Sequence, residues 1–303
     1  MTGPQLDALP FAKGHGCQNS FLLLPDPAGR LDLTTDEIRR LADTHTGAGA
    51  DGILRVVRCT AAPEAVAMAG TAEWFMDYRN ADGSLGAMCG NGIRLFARYL
   101  VDAGHCSPGT LAIATRAGVR HVRVPPASDG AQGQVSVVMG SPAFPGPDHI
   151  TLVAAGRRWP ATHVDMGNPH AVVFVDDLAD AGTLHVPPIA EPADAYPHGF
   201  TTEFVAVRGP GHLALRVHER GVGETRACGT GACAAVAAHR RRAHDTRAAD
   251  YRVDLLGGRL HVAVAGDGTM TLAGPAVITA HGVIGLPGSE ERTDPLSKLE
   301  GVR

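Results

Sequence analysis

Two cysteines with nearly identical surroundings could do chemistry in this chain. Cys89–Gly92 and Cys228–Gly231 both have the pattern Cys-Gly-x-Gly, 139 residues apart, and each precedes a run with helical character. A thiol at a helix N-terminus lies at the positive end of the helix dipole, so we expect its pKa to fall below the usual value of about 8.5. The glycines let a ligand approach the first backbone N–H groups, which can bind a carboxylate.

Two such helix ends facing each other would suit one class of reaction. One carboxylate would lie between them, with a sulfur on each face of the adjacent carbon. Inverting that stereocentre needs a base on one face and an acid on the other, and a thiolate and a thiol supply both. The helix ends would stabilise the carbanion without a cofactor. The alternative is two inert buried thiols in glycine turns, but the repetition of the motif favours the catalytic interpretation.

The elements that must position these cysteines follow a weak internal repeat. From Asn91, apolar residues recur at helical spacing until Gly104 can end the helix, and Ala232–Ala238 predicts a second helix closely surrounded on all sides. A further helix is predicted over Thr34–Thr46, with a threonine cap and an acidic first turn. Short strands are predicted at Ser20–Leu24, Gly52–Arg58, Glu73–Tyr78, Leu111–Thr115, His121–Val124, Gln134–Met139, Ala171–Val175, Ala214–His218, Tyr251–Leu255, Arg259–Ala265, Thr269–Leu272 and Val277–Ile284.

This pattern predicts an α+β fold of two pseudo-symmetric domains. Each would be a curved mixed or antiparallel sheet wrapped around a central helix, with the active site in the interdomain cleft. We expect an N-terminal half over residues 1–130, to which residues 277–303 return, and a C-terminal half over residues 131–276. Pro125–Gly133 is the expected first crossing between the halves, and the polar tail Ser289–Arg303 is expected to be a surface appendage.

Composition excludes several classes of function. The chain has 303 residues, of which 44% are hydrophobic and 19% charged, and its formal net charge is −4. These values favour a globular protein and give no electrostatic footprint for nucleic acid or an anionic membrane. We find neither a membrane span nor a secretory signal, and therefore expect a cytoplasmic protein with a small-molecule partner. The six cysteines have no zinc-site spacing, so no metal is expected.

Motifs around both cysteines resemble those of diaminopimelate epimerases. They are His15–Asn19, Asn80–Ser84, Met88–Gly92, Met166–His170 and Glu219–Gly231, in family order. The resemblance implies cofactor-independent interconversion of LL- and meso-2,6-diaminopimelate by a two-cysteine acid/base mechanism. It further implies a cytoplasmic isomerase of lysine and peptidoglycan precursor biosynthesis, commonly a homodimer.

The resemblance also implies roles for individual residues. Cys89 and Cys228 match the acid/base pair. The matched substrate-binding positions are Asn19, Asn80, Gly90, Asn91, Asn168, Thr201, Glu219, Arg220, Gly229 and Thr230. Arg220 can bind a distal carboxylate with two N–H groups, Glu219 can bind an ammonium group, and His170 would be a supporting hydrogen-bond partner.

Three positions depart from the family pattern. Ser20 stands where Asp is usual, Gly52 where Gln is common, and Thr201 where an Asn helps to bind the distal carboxylate. Threonine offers one hydroxyl in place of an amide. Two alternatives therefore stay open: a related two-thiol epimerase or racemase for another amino acid, and a non-catalytic amino-acid-binding or redox-sensing thiol protein.

Overall fold

A computed structural model of the chain describes residues 8–126, 134–146 and 150–285. The α-helices are α1 (Thr35–Ala42), α2 (Gly90–Asp102) and α3 (Gly229–Ala243). The strands are β1 (Leu9–Gly16), β2 (Asn19–Pro25), β3 (Gly52–Arg58), β4 (Trp74–Asn80), β5 (Gly109–Thr115), β6 (Gly118–Val124), β7 (Val135–Gly140), β8 (Ile150–Ala154), β9 (Arg157–Asp165), β10 (Pro169–Phe174), β11 (Ile189–Glu191), β12 (Thr201–Gly209), β13 (His212–Glu219), β14 (Gly223–Thr225), β15 (Ala249–Leu255), β16 (Gly258–Val264), β17 (Met270–Gly274) and β18 (Val277–Ile284). Short 3₁₀ helices span Cys59–Ala61, Val66–Met68, Leu178–Ala181 and Ala193–Ala195.

One strand-pairing pattern occurs twice. In the first half, β1 to β7 pair in chain order, with parallel contacts at β2–β3 and β4–β5 and antiparallel contacts elsewhere. In the second half, β9, β10, β12, β13, β15, β16 and β17 repeat the same order, with parallel contacts at β10–β12 and β13–β15. The equivalent strands β7 and β17 pair with each other and join the halves. The predicted α+β fold with two pseudo-symmetric domains is confirmed.

The last described strand belongs to the first half. β18 lies antiparallel on β1, in the position that β8 takes on β9. Its bounds are those predicted from the sequence. The domain boundaries stay a prediction, because residues 127–133 of the expected first crossing lie outside the described residues, as does the tail 289–303.

Each half surrounds one helix with its strands. α2 packs against β1, β2, β6, β7 and β18, and α3 packs against β9, β10, β12, β13 and β16. α2 buries large residues such as Ile93, Phe96 and Leu100, whereas Ala232–Ala238 is buried all round, so strands approach α3 closely. None of the helices in the described ranges has the length and apolar character needed to cross a bilayer.

The first helix is shorter than predicted. Thr34 forms the expected capping box with Glu37, but α1 ends at Ala42 and not near Thr46. The Asp43 carboxylate accepts hydrogen bonds from the backbone N–H groups of His45 (2.9 Å) and Thr46 (2.7 Å). These local bonds satisfy N–H groups that a continuing helix would have used, and so favour a turn.

Candidate active site

Cys89 and Cys228 occupy the same position in the two halves. Each is the N-cap residue of its helix and has an extended backbone, with φ and ψ of −136° and 122° for Cys89 and −123° and 120° for Cys228. The Sγ atom of Cys89 accepts a hydrogen bond from the N–H of Gly92 at 3.4 Å, and that of Cys228 from Gly231 at 3.3 Å. The repeated motif therefore produces the same local geometry twice.

The two helices meet at their first residues. A methyl group added at Gly229 would lie 3.3 Å from the Cα of Gly90, and one at Gly90 would lie 3.5 Å from the Cα of Gly229. The first N–H groups of a helix have no acceptor within it, which leaves those of Gly90, Asn91, Gly229 and Thr230 for other partners. Two positive helix ends thus converge, as predicted, and their arrangement suits an anion.

Asn19 and Asn168 are equivalent between the halves. Asn19 begins β2, and Asn168 directly precedes β10. Each lies two residues before a residue that pairs with the next parallel strand, Phe21 in the first half and His170 in the second. The side chain of Asn168 makes no hydrogen bond to another described residue, so its amide is free to bind a ligand.

The next equivalent positions are Gly52 and Thr201, the first residues of β3 and β12. Gly52 pairs with Asn80 at the end of β4. The register of β12 with β13, continued by one residue, sets Thr201 opposite Glu219. The structure therefore brings the predicted site residues Asn80, Thr201 and Glu219 to corresponding strand ends.

Asn19 lies beside Cys89 and is linked through Asn91 to the second half. Its Nδ2 donates to an Asp51 carboxylate oxygen at 3.1 Å, and its Oδ1 lies 3.8 Å from the Sγ of Cys89. The same Oδ1 accepts from the Nδ2 of Asn91 at 3.2 Å. That Nδ2 also donates, at 3.0 Å, to the carbonyl of Ala227, the residue before the second cysteine.

Ser20, one of the departures from the family pattern, binds the same carboxylate as Asn19. Its backbone N–H and its hydroxyl both donate to the Oδ2 of Asp51, at 2.7 and 3.2 Å. A carboxylate is therefore present at this end of β2, although residue 20 does not supply it. Asp51 is not among the site residues predicted from the sequence.

A buried pair of side chains lies beside the first turn of α3. The Nδ1 of His170 is 2.7 Å from the Oε1 of Glu203, and neither side chain is exposed. A methyl group added at Gly231 would lie 2.5 Å from that Oε1. In the described ranges no three His, Cys, Asp or Glu side chains lie close enough together to bind a metal ion.

Glu219 and Arg220 differ in their surroundings. Glu219 accepts a hydrogen bond from the hydroxyl of Thr225, and burial raises the pKa of its carboxyl despite that bond. Arg220 is exposed and donates through Nη1 to the carbonyl of His198. A cationic group beside Glu219 would favour the charged form of its carboxyl, whereas Arg220 has further N–H groups available to a ligand.

The thiol pKa values move opposite to the sequence-based expectation. Burial raises the pKa of Cys89 to about 11, with the Gly92 N–H lowering it and the Glu219 carboxylate raising it. Burial also raises the pKa of Cys228 well above its usual value, and the carboxylates of Glu219 and Glu203 raise it further. The expectation was wrong because the loss of thiolate hydration outweighs the stabilisation by the helix ends.

Tyr78 is a site neighbour that was not predicted. Its hydroxyl donates to the Oδ1 of Asn80 at 2.6 Å. Burial raises the pKa of Tyr78, and the carboxylates of Glu219 and Asp51 raise it further, so its hydroxyl stays protonated. The available signal was strand alternation, because residues two apart on β4 share a face.

Comparisons with known proteins identify relatives over most of the chain. The family model described as diaminopimelate epimerase matches residues 11–145 and 162–279. A diaminopimelate epimerase of Streptomyces coelicolor is 53% identical over 277 residues, covering 90% of this chain and 94% of the relative. One from Acidothermus cellulolyticus is 41% identical over 310 residues, covering 94% and 99%.

Solved structures support the fold. A phenazine biosynthesis protein of the PhzF family from Bacillus anthracis superposes with a TM-score of 0.69 at 16% identity, covering 92% of this chain and 99% of that one. A hydroxyproline epimerase from Agrobacterium vitis superposes with a TM-score of 0.68 at 14% identity, covering 94% of each chain. Taken with the sequence matches, these findings show that the chain belongs to the diaminopimelate epimerase family.

Proposed function

We propose that the protein interconverts LL- and meso-2,6-diaminopimelate by moving a proton between two cysteines across one α-carbon. The observation that supports this most directly is the convergence of two helices at Gly90 and Gly229, each capped by a cysteine. Family membership supports the choice of substrate. The two-thiol mechanism follows from the chemistry that this arrangement allows.

The helix ends bind the carboxylate next to the reacting carbon. The N–H groups of Gly90, Asn91, Gly229 and Thr230 are the donors, two from each helix. Each helix end is equivalent to about half a positive charge, so the pair stabilises the negative charge that develops as the α-proton leaves. Those donors are fixed before the reaction, so little reorganisation is needed.

The proton transfer conserves atoms and charge within the pair. One cysteine, as thiolate, takes the α-proton on its Sγ, and the electrons of the broken C–H bond stay on carbon. The other cysteine, as thiol, gives its proton to the opposite face of that carbon. The stereocentre is inverted and the two sulfurs have exchanged protonation states, ready for the reverse reaction. Because burial raises the pKa of both thiols, the thiolate is a strong base once formed.

The far end of the substrate is bound by side chains of the second half. Glu219 binds an ammonium group and Arg220 a carboxylate, which fits an amino acid with charged groups at both ends. Thr201 favours a second candidate, epimerisation of another amino acid, because its buried hydroxyl stands opposite Glu219 with fewer donors than an amide.

Proton NMR in D₂O tests both candidates. Reduced protein is incubated with LL-diaminopimelate in the presence of a chelator and without pyridoxal phosphate. We expect deuterium at the α-position together with meso product, and Thr201→Asn should retain this exchange. Exchange with another amino acid but none with diaminopimelate would favour the second candidate. Folded protein that exchanges no amino acid would leave the non-catalytic binder.

The wider setting is also part of this proposal. We propose a cytoplasmic homodimer that acts in lysine and peptidoglycan precursor synthesis, on a small-molecule substrate and without a cofactor. Family membership supports these assignments. Light scattering of the purified chain tests the dimer, and growth of a lysine- and diaminopimelate-dependent host on the cloned gene tests the metabolic role.

A further inference from the structure

Arg94 is a fully buried cation one turn inside α2. Its Nη1 donates to the carbonyl of Gly90 at 2.9 Å and its Nη2 to the Oδ1 of Asn91 at 2.8 Å, while Nε has no partner. Among the residues that the structure describes, no carboxylate pairs with it. A guanidinium keeps its charge at neutral pH, so a permanent positive charge lies behind the helix end that carries Cys89.

Arg94 determines which way two amides point. A guanidinium only donates, so the atom of Asn91 that faces it must be the oxygen. The Nδ2 of Asn91 then faces the carbonyl of Ala227 and the Oδ1 of Asn19. Asn19 in turn must direct its Nδ2 to the carboxylate of Asp51. A series of hydrogen bonds thus runs from the buried Arg94 to the Asp51 carboxylate and passes Cys89.

Among the described residues, the second half has no such series of hydrogen bonds. Cys233 stands five residues after Cys228, as Arg94 stands five after Cys89, and Thr230 replaces Asn91. The amide of Asn168, equivalent to Asn19, has no hydrogen bond to a described residue. The two halves therefore position their cysteines alike but orient the neighbouring polar groups differently.

The side chains packed behind the two cysteines also differ in charge. Behind Cys89, the residues beside Gly92 are apolar: Phe21 and Leu54 lie 3.5 and 3.4 Å from the position of an added methyl group. The equivalent residues in the second half are His170 and Glu203, the buried pair beside Gly231. A cation thus lies near the first thiol and a carboxylate near the second.

We propose that Arg94 is a positioning residue for the reaction, which orients the amides of Asn91 and Asn19 and provides Cys89 with a fixed positive charge that Cys228 lacks. The proposal rests on the proposed function for its catalytic meaning. It makes the two thiols chemically unequal, with Cys89 the one that more readily becomes a thiolate. Arg94 touches no reacting atom and acts only through its neighbours.

Other charged groups near the thiols do not remove this difference. Glu219 acts on both and disfavours either thiolate. Tyr78 is protonated and adds no charge. Asp51 lies beyond Asn19 from Cys89, whereas Glu203, whose Oε1 is 2.7 Å from the Nδ1 of His170, raises the pKa of the Cys228 thiol.

Site-resolved alkylation tests the proposal without substrate. The rates at which iodoacetamide modifies Cys89 and Cys228 are measured by peptide mass spectrometry from about pH 7 to pH 10, for wild type, Arg94→Met and Arg94→Lys. In Arg94→Met we expect the Cys89 profile to move to higher pH, with a rate about tenfold lower at a given pH, and the Cys228 profile to move much less.

Arg94→Lys separates charge from orientation. Lysine keeps the cation but lacks the planar fork that reaches both Gly90 and Asn91, so the alkylation profile of Cys89 should stay close to wild type. We expect kcat/KM for α-proton exchange to fall about tenfold or more, because the amides lose their fixed orientation. This variant also tests the proposal if Arg94→Met does not fold.

Arg240→Met is the matched control. Arg240 is a buried arginine near the end of α3 and donates to the carbonyl of Arg247, far along the helix from Cys228. Its replacement should leave both alkylation profiles unchanged. Equal movement of both cysteines in folded Arg94→Met, or wild-type kcat/KM in Arg94→Lys, would overturn the proposal. Wild-type protein without α-proton exchange would refute the proposed function but leave the alkylation comparison intact.

Discussion

Replacing Gly231 by alanine should destabilise the protein, whereas the equivalent Gly92→Ala should not. Both glycines are the third residue of their helix and both donate their N–H to a cysteine sulfur. A methyl group at Gly92 meets its nearest neighbours at 3.4 Å, an ordinary van der Waals contact. A methyl group at Gly231 would lie 2.5 Å from the Oε1 of Glu203, which is buried and bound to His170.

The size of the difference follows from three contributions. Both substitutions gain helix propensity, about 1 kcal/mol in a helix interior. Gly231→Ala also overpacks the core, which costs about 1 to 3 kcal/mol, and it displaces a buried hydrogen-bonded carboxylate, which costs about 1 to 3 kcal/mol more. The gain in helix propensity is common to both variants and cancels, so we expect Gly231→Ala to be about 2 to 6 kcal/mol less stable than Gly92→Ala.

Urea denaturation followed by circular dichroism measures this difference. In thermal denaturation, at about 2 to 4 °C per kcal/mol, the melting temperatures should differ by roughly 4 to 24 °C. The double variant with Glu203→Gln serves as a control, because it retains the steric clash but removes the buried charge. Equal stability of Gly92→Ala and Gly231→Ala would show that the carboxylate beside α3 is not held where the structure has it.

Three further results are expected. Cys89→Ser and Cys228→Ser should each lower kcat by about a thousandfold without loss of fold, because a serine hydroxyl is a far weaker acid than a thiol. NMR exchange rates measure kcat, and circular dichroism measures the fold. Asp51→Asn should lower kcat/KM about tenfold, because Asn19 and Ser20 lose a charged acceptor, and initial rates over a range of substrate concentrations would separate kcat from KM. Raising the pH should lower stability. The fold favours the neutral form of the half-buried Cys89 thiol, a contribution that is fully present below the unfolded pKa of about 8.5 and is lost as pH rises through the folded pKa of about 11. The urea midpoint should therefore fall over this window, and fall less in Cys89→Ser.

A control variant and three contradicting outcomes test these predictions. Cys106→Ser changes a half-buried thiol outside the paired motifs and should retain activity. If both active-site serine variants turned over at the normal rate, the two-thiol mechanism would be wrong. An unchanged kcat/KM in Asp51→Asn would mean that its hydrogen bonds do not matter for binding. An unchanged urea midpoint at high pH would mean that the fold does not favour the neutral thiol of Cys89.

Local patterns were sufficient to predict much of the fold. Gly52–Arg58 and Val277–Ile284 were predicted with the bounds that the structure shows, because turn signals flank apolar runs. The strand Leu9–Gly16 was not predicted, since Pro10 and its glycines are poor strand formers. It forms because β2 and β18 pair with it on both sides, a long-range effect that local propensity does not contain.

The site shows the same division between local and long-range information. The repeated Cys-Gly-x-Gly motif was enough to predict two capped helix ends, because N-cap geometry is local. The burial of Arg94, and the contacts of Asp51 and Glu203, depend on strands distant in the chain, so those residues were not predicted. The predicted direction of the thiol pKa shifts was wrong for the same reason, since burial is a property of the whole fold.

The pairing of β18 with β1 has a consequence for biosynthesis. The strands of the N-terminal half include β18, which leaves the ribosome only after nearly all of the second half has been made. The N-terminal half therefore cannot complete its fold during synthesis, although N-terminal domains usually fold first. Until residue 284 emerges, β1 has an open edge that can pair with another nascent chain. Because of this strand order, the yield of folded protein depends on the speed of translation. Slower synthesis of the second half should increase aggregation.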